Sequence, residues 1–377
     1  MLCCVEPYEV RTIAYEEALV VEGRFTDQQQ RHYVKLSFTR SIDDMENRPV
    51  LGATVWVEGS DGSKIDFAET SPGYYESEEE VAGVAGNSYQ LFFETAEGKR
   101  YQSNTQELVS SPPIDRIYSA YAEKTHSKSG GVVKGIQFFV DTHDDTNEAK
   151  YYKYEWEETY EVYAPYPSFY EFFSDPDTVM ARTEDVSPCY VFAKSNSITI
   201  GTSAALTENR LTEVPVRYIT SDTEHLLNAY SILVKQYVIS PEAYSFYRKM
   251  EENNDRGSLF DQQLGAVIGN ITSSENTEET VLGFFEVSGM SEQRTFVKYN
   301  ELDKRFPWPR SEYPCNGPEQ VVNVATLDSV DYYVRSRGYG IVSAGYNDGE
   351  FKGVLAPRYC TDCRFRGPAV KPDFWIY

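Results

Sequence analysis

The chain has 377 residues, 41% of them hydrophobic, with 30 Tyr, 20 Phe and 4 Trp against 5 Met and 4 His. That length is too great for one ordinary core and fits two domains better than three, while the aromatic, Gly- and Pro-punctuated composition favours strands over helices. Its 35 Lys and Arg against 59 Asp and Glu give a formal charge of −24, which sets nucleic acid and anionic lipid headgroups aside as partners.

No segment approaches the ~20 consecutive apolar residues of a transmembrane helix. The first residues, Met1-Leu2-Cys3-Cys4-Val5, have the form of the stump of a bacterial lipoprotein signal, in which a Leu-containing box precedes the lipid-bearing cysteine. On that reading Cys4 is the first choice for the lipidated residue and Cys3 the second. Residues 1–16 are polar and aperiodic, as a tether would be.

Strands begin at Leu19. Leu19, Val21 and Phe25 alternate with Val20, Glu22 and Arg24, and Val34, Leu36 and Phe38 with Tyr33, Lys35 and Ser37, the period of a half-buried strand. Residues 49–57 give another strand, Asp61-Gly62 a tight hairpin, Ile65 and Phe67 a return, and Tyr89, Leu91 and Phe93 a further strand. Turn signals at ~8–12 residue spacing define a β-sandwich over residues 17–110. Its Gly-Ala-x-Val-x-Val and Gly-x-x-Tyr-x-Leu patterns resemble small Ig-like, prealbumin-like or carboxypeptidase-regulatory-like domains, which serve as spacers or docking modules. Ser111-Pro112-Pro113 cannot continue a central strand and ends it.

Residues 111–377 read as a larger β-sandwich domain with one or two short helices. Residues 133–141 and 151–163 are expected to pair antiparallel around an acidic loop, followed by strands at 197–201, 229–239, 281–287 and 294–299. Near 241–253 a helix is inserted: Ser240 caps it, Pro241 fits its first position, and Ala243, Tyr244, Phe246, Tyr247 and Met250 recur at helical spacing.

Several clusters admit a binding role and a plainer one. Asp141, Asp144, Asp145, Asn147 and Glu148 carry oxygen enough for calcium, but without the EF-hand order or its glycine they read first as a solvated hairpin turn. Residues 151–173 hold eleven aromatics. After Pro165 the alternation breaks, so Tyr166, Phe169, Tyr170 and Phe172 read as an aromatic loop that binds a ligand or partner or is buried beneath neighbouring strands. Trp308, in Phe306-Pro307-Trp308-Pro309, invites the same two readings. No Gly-x-Ser-x-Gly, His-Glu-x-x-His, Walker loop or Gly-x-Gly-x-x-Gly is present, so no catalytic residue, metal ligand or cofactor site is assigned. With 59 carboxylates, a carbohydrate-hydrolase dyad is neither excluded nor indicated.

Cys189, Cys315, Cys360 and Cys363 are an even number, for which disulfides are the default in an envelope or extracellular protein; three pairings are open. Their rivals are a four-thiolate zinc site, which lacks a second Cys-x-x-Cys, and a redox role for Cys360-x-x-Cys363. Arg358, Arg364, Arg366 and Lys371 form a basic cluster that either pairs with the chain's own acids or faces an acidic partner.

The run Cys360-Thr361-Asp362-Cys363-Arg364, then Gly367 and Lys371-Pro372-Asp373-Phe374-Trp375, resembles the end of the lipoprotein family catalogued as domain of unknown function 4249, of Bacteroidota-type cell envelopes. The stretch from Gly257 through Gly269 to Phe285 is similar to the same family. The resemblance implies a non-enzymatic accessory lipoprotein, anchored at the outer membrane and exposed at the cell surface. It implies as partner a TonB-dependent, SusC-like transporter, whose nutrient capture or gating the protein would serve. The alternatives are a carbohydrate-active hydrolase and a structural envelope protein or adhesin.

Overall fold

The computed structural model describes residues 17–40, 48–125, 130–175, 177–255, 267–311, 313, 315 and 321–377. The tether with Cys3 and Cys4 lies outside them.

The first part runs β1 (Leu19–Thr26), β2 (Tyr33–Phe38), β3 (Arg48–Pro49), β4 (Thr54–Gly59), β5 (Lys64–Ser71), β6 (Tyr74–Ser77), β7 (Ser88–Glu94), β8 (Arg100–Ser103) and β9 (Gln106–Glu107). Strict alternation along β1, β2, β4 and β7 sends Val21, Phe25, Val34, Leu36, Val55, Val57, Leu91 and Phe93 into one core. The second part begins with β10 (Ile114–Thr125), β11 (Val132–His143), β12 (Tyr151–Val162), β13 (Tyr170–Ser174), β14 (Asp177–Ala181), β15 (Cys189–Lys194), β16 (Ile200–Thr202), β17 (Arg210–Thr220) and β18 (Ala229–Val238). It continues through α1 (Pro241–Asp255), β19 (Ile271–Ser273), β20 (Val281–Lys298), β21 (Val322–Val324), α2 (Leu327–Asp331), β22 (Tyr339–Asn347), β23 (Glu350–Pro357) and α3 (Arg358–Thr361). The protein is mainly β, with few and short helices.

One strand joins the two parts. The expected strands 281–287 and 294–299 are a single element, β20, of 18 residues. Its first half runs parallel to β1, with Gly23 opposite Phe285, and its second half antiparallel to β18, with Gln236 opposite Ser291. Because β20 changes partner without ending, one sheet runs β15-β12-β18-β20-β1-β2-β6-β5-β4-β7-β8-β19. Ile271, Val281, Phe285 and Val287 thereby return to the core built by residues before 110. Asn270, just before β19, closes that end: its side chain bonds the backbone N–H and C=O of Phe285 at 3.0 and 2.8 Å.

The second core lies between the joined sheet and a three-stranded sheet, β10-β11-β17. Ile136, Phe138 and Val140 of β11 face Tyr152, Tyr154 and Trp156 of β12 across it. Hence β11 and β12 are not the expected antiparallel pair: β11 lies between β10 and β17, and β12 between β18 and both β15 and β16. Both strands carry one apolar face, and those faces meet across the sandwich instead of lining up within one sheet. The acidic stretch between them is a crossing, not a hairpin turn.

A third, small sheet, β14-β13-β22-β23-β21, packs on α2 around Val330, Ile341 and Leu355. Two disulfides hold its end to the body. Cys189 bonds Cys363 and Cys315 bonds Cys360, which selects one of the three pairings. The two cysteines of Cys360-x-x-Cys363 therefore go to different partners, and the redox-pair reading falls.

Candidate functional site

In the joined sheet β1 and β12 stand on either side of β20 and β18, and there side chains of the first sandwich meet those of the second. Glu22, Arg24, Tyr33 and Lys35 come from β1 and β2; Glu155 and Glu157 from β12; Lys194 from β15; Lys235 and Tyr237 from β18. Together they line a cleft of about 610 Å³. Its floor is a buried charge network. Arg24 binds Glu155 in bidentate fashion at 2.5 and 3.1 Å and approaches Glu286 of β20 at 2.9 Å. Glu286, 1% exposed, is also bound by Lys153, 5% exposed, and accepts from Tyr247 of α1 at 2.7 Å and from Ser288 at 3.2 Å. Tyr237 lies flat under the guanidinium, 4.0 Å from ring centre to Cζ.

The electrostatics follow from this geometry. Burial favours the neutral acid of Glu286, but Lys153 and Arg24 outweigh it and hold the carboxyl below its usual range. Burial and then Arg24 pull the Lys153 ammonium down. At Glu155 burial is again opposed, chiefly by the Arg24 hydrogen bonds, and the carboxyl falls to about 2. The same neighbours therefore favour the ionised form of both network carboxylates.

α1 joins the buried network through Tyr247. The Ser240 hydroxyl accepts from Ala243 N–H at 3.1 Å, the N-cap read from sequence, and Phe246 packs on Phe284 of β20.

A second surface carries the aromatics singled out from sequence. Residues 170–174 are not loop: they form β13, hairpinned to β14. Tyr170, Phe172 and Val179 face the small core, while Glu171, Phe173 and Met180 face outward. Phe173, Met180 and neighbouring Phe169 are 44%, 56% and 61% exposed. Five residues of strand inside an aromatic run are too few for the period of two to show, so the run containing Phe173 reads as loop and its cross-strand neighbour Met180 carries no signal in the sequence. Tyr170 and Phe172 also line a groove of about 340 Å³ with Tyr339 and Ile341. Tyr166 packs instead beside Cys315 and Cys360, and Trp308, 64% exposed, stacks edge-on against Tyr299 away from the hairpin.

The remaining clusters find partners inside the chain. Asp141 accepts from Arg116, Tyr118 and the Glu213 backbone, and Asp144 from Thr146, Ala149 and Asn209. Among the described residues no group of three His, Cys, Asp or Glu side chains could hold a metal ion. Arg364 pairs with Asp362 and Glu184, and Arg366 with Glu224. Those two arginines serve the fold and leave little of the basic cluster for an acidic partner.

Curled sheets, two staples and a polar junction cleft define a mainly β, disulfide-bonded, multi-sheet protein. The family described as Domain of unknown function (DUF4249) matches residues 5–294. The chain belongs to that family, and the Cys360–Trp375 stretch lies beyond the matched span. No individually curated protein matches it. Among solved structures it is similar to the surface layer protein SbsC, domains 1–6, at 8% identity and a TM-score of 0.16, covering 90% of this chain and 51% of that one. A second SbsC structure, rSbsC(31–844), gives 8% and 0.15, covering 90% and 63%. The chain therefore spans about half to under two thirds of those proteins, and likeness at this level carries no argument.

Proposed function

We propose that this protein is a non-catalytic accessory protein of the cell envelope, anchored to the outer membrane through lipid on Cys4, with Cys3 the alternative. Its partner is a TonB-dependent transporter, whose capture or gating of nutrient it assists. The observation that carries a partner-binding role is the outward face of the β13–β14 hairpin, where Phe169, Phe173 and Met180 are exposed together beside the Glu171–Arg182 ion pair. An apolar patch rimmed by charge is the usual composition of a contact surface. β14 is moreover the edge of its sheet, a position that accepts another chain. Two disulfides support an oxidising compartment. A single acyl chain gives marginal membrane affinity, so multiple acylation or the partner itself completes the anchoring.

The anchor is tested by expressing the complete native gene, fractionating the cells and analysing the N-terminal peptide by mass spectrometry. Acylation at Cys4 or Cys3 in the outer-membrane fraction is expected. An unmodified peptide in the cytosol would end the proposal.

A further inference from the structure

We propose that the junction cleft is a binding site for an acidic oligosaccharide, a short sugar chain bearing uronic carboxylates. This does not rest on the transporter reading. Charge is the first argument. The cleft is lined by Arg24, Arg31, Lys35, Lys194 and Lys235 against Glu22, Glu155 and Glu157, five cations to three anions, or +2, in a chain of −24. A concave surface of opposite sign to the rest of the protein concentrates anions.

The second argument is which cations are free. Arg24 is committed to Glu155 and Glu286, and Lys235 to Glu157 at 2.6 Å. Among the described residues Lys35 and Lys194, both exposed, have no ion-pair partner, although Glu22 is the register neighbour of Lys35 and the chain holds a large carboxylate excess. They reach the cleft from β2 and β15, strands separated along the joined sheet by β12, β18, β20 and β1.

The platform is the third argument. Tyr33 and Tyr74 lie parallel, 5.6 Å apart at 9°, half-buried beside Lys35. Burial pushes the Tyr33 hydroxyl up to about 12, so it stays protonated and can donate. Sugar rings stack on such faces, and Gln30 and Ser195 in the same lining supply hydroxyl partners. A volume of about 610 Å³ is in the range of small-ligand sites. A nucleic-acid duplex, also anionic and ring-bearing, is too large for a cleft of about 610 Å³ and would lie against the acidic surface outside it, whereas a short saccharide fits within the basic lining.

The test is calorimetric titration of the full chain with trigalacturonate, with maltotriose as the neutral probe and inorganic phosphate as the simple anion. Trigalacturonate is expected to bind, more weakly as salt rises from about 0.05 to about 0.5 M. Lys35→Ala with Lys194→Ala should weaken it about tenfold, with thermal melting unchanged because both side chains are exposed. Tyr33→Ala should weaken it as well. Equal binding of maltotriose, no binding of trigalacturonate, or an unaltered lysine double variant would overturn the assignment. Phosphate binding as tightly as trigalacturonate would reduce the site to a plain anion site and overturn the saccharide class.

Discussion

Glu286 shows how a single side chain can fix the relation of two sheets. It sits on β20, binds Arg24 of the first sandwich and Lys153 of the second, and takes Tyr247 from the helix. Removing this carboxylate leaves the buried Lys153 without its close partner and Arg24 with Glu155 alone, so Glu286→Ala should cost about 3–5 kcal/mol, read by chemical denaturation. Glu158 makes a parallel case in the second core. It is 1% exposed and receives Arg217 through two bonds of 2.9 Å and Tyr230 at 2.7 Å. Burial is outweighed there by His225 and Arg217, and the carboxyl falls from 4.5 to about 2. A folded-state value below the unfolded one means stability that is complete above pH 4.5 and lost as pH falls toward about 2. That loss is about 3 kcal/mol for Glu158, and Glu155, lowered to about 2, acts in the same window. Denaturation midpoints should fall through this range, and Glu158→Gln should flatten the fall. A midpoint constant from pH 5 to 3 would contradict the assignment.

At the level of elements, what could be read from sequence depended on how local the cause was. The N-terminal strands and α1 were legible because alternation, the Ser240 cap and Pro241 are written within a few residues. β20 was not: its two apolar runs are parted by Ser288-Gly289-Met290-Ser291-Glu292-Gln293, and Gly289 is a poor strand former by propensity. Its reason is long-range: a Cβ there would stand 2.3 Å from the Val109 carbonyl oxygen, so the glycine admits a close backbone neighbour. Gly283 is more constrained still, with φ of +88° and a Cβ position 2.0 Å from the Val21 oxygen. Gly283→Ala should therefore destabilise by at least about 1–3 kcal/mol from conformation alone, measured as a lowered denaturation midpoint; an unchanged midpoint would show that the β1–β20 junction yields easily. The pairing of β11 was equally hidden, since a one-faced strand does not say whether its neighbour in sequence lies beside it or across the core. Of the candidate sites, the aromatic hairpin was visible as composition. The cleft was not, because its residues are scattered from Glu22 to Tyr237 and alternate with core positions.

The whole molecule is held as a body plus a stapled appendage. Cys189–Cys363 spans 174 residues and Cys315–Cys360 spans 45. Chain-entropy arguments give about 5 and about 4 kcal/mol as upper figures for such loops. Cys189→Ser with Cys363→Ser should cost about 2–5 kcal/mol, seen as a lower melting temperature that reductant no longer shifts as far. Trp375 packs edge-on against Tyr190 and Phe296, so the C-terminal tail is fastened to β15 as well as by the staple beside it. Such fastening suits a protein that presents the small sheet to a partner while the cleft remains open elsewhere.

Whether the hairpin face meets a transporter, as proposed, is decided by a mild-detergent pull-down of the natively expressed protein beside its Phe173→Ser/Met180→Ser variant. A TonB-dependent barrel is expected to co-purify with the native protein and to be lost from the variant, which keeps its fold because both residues point outward. Absence of any barrel, or equal recovery with both proteins, would contradict the proposal.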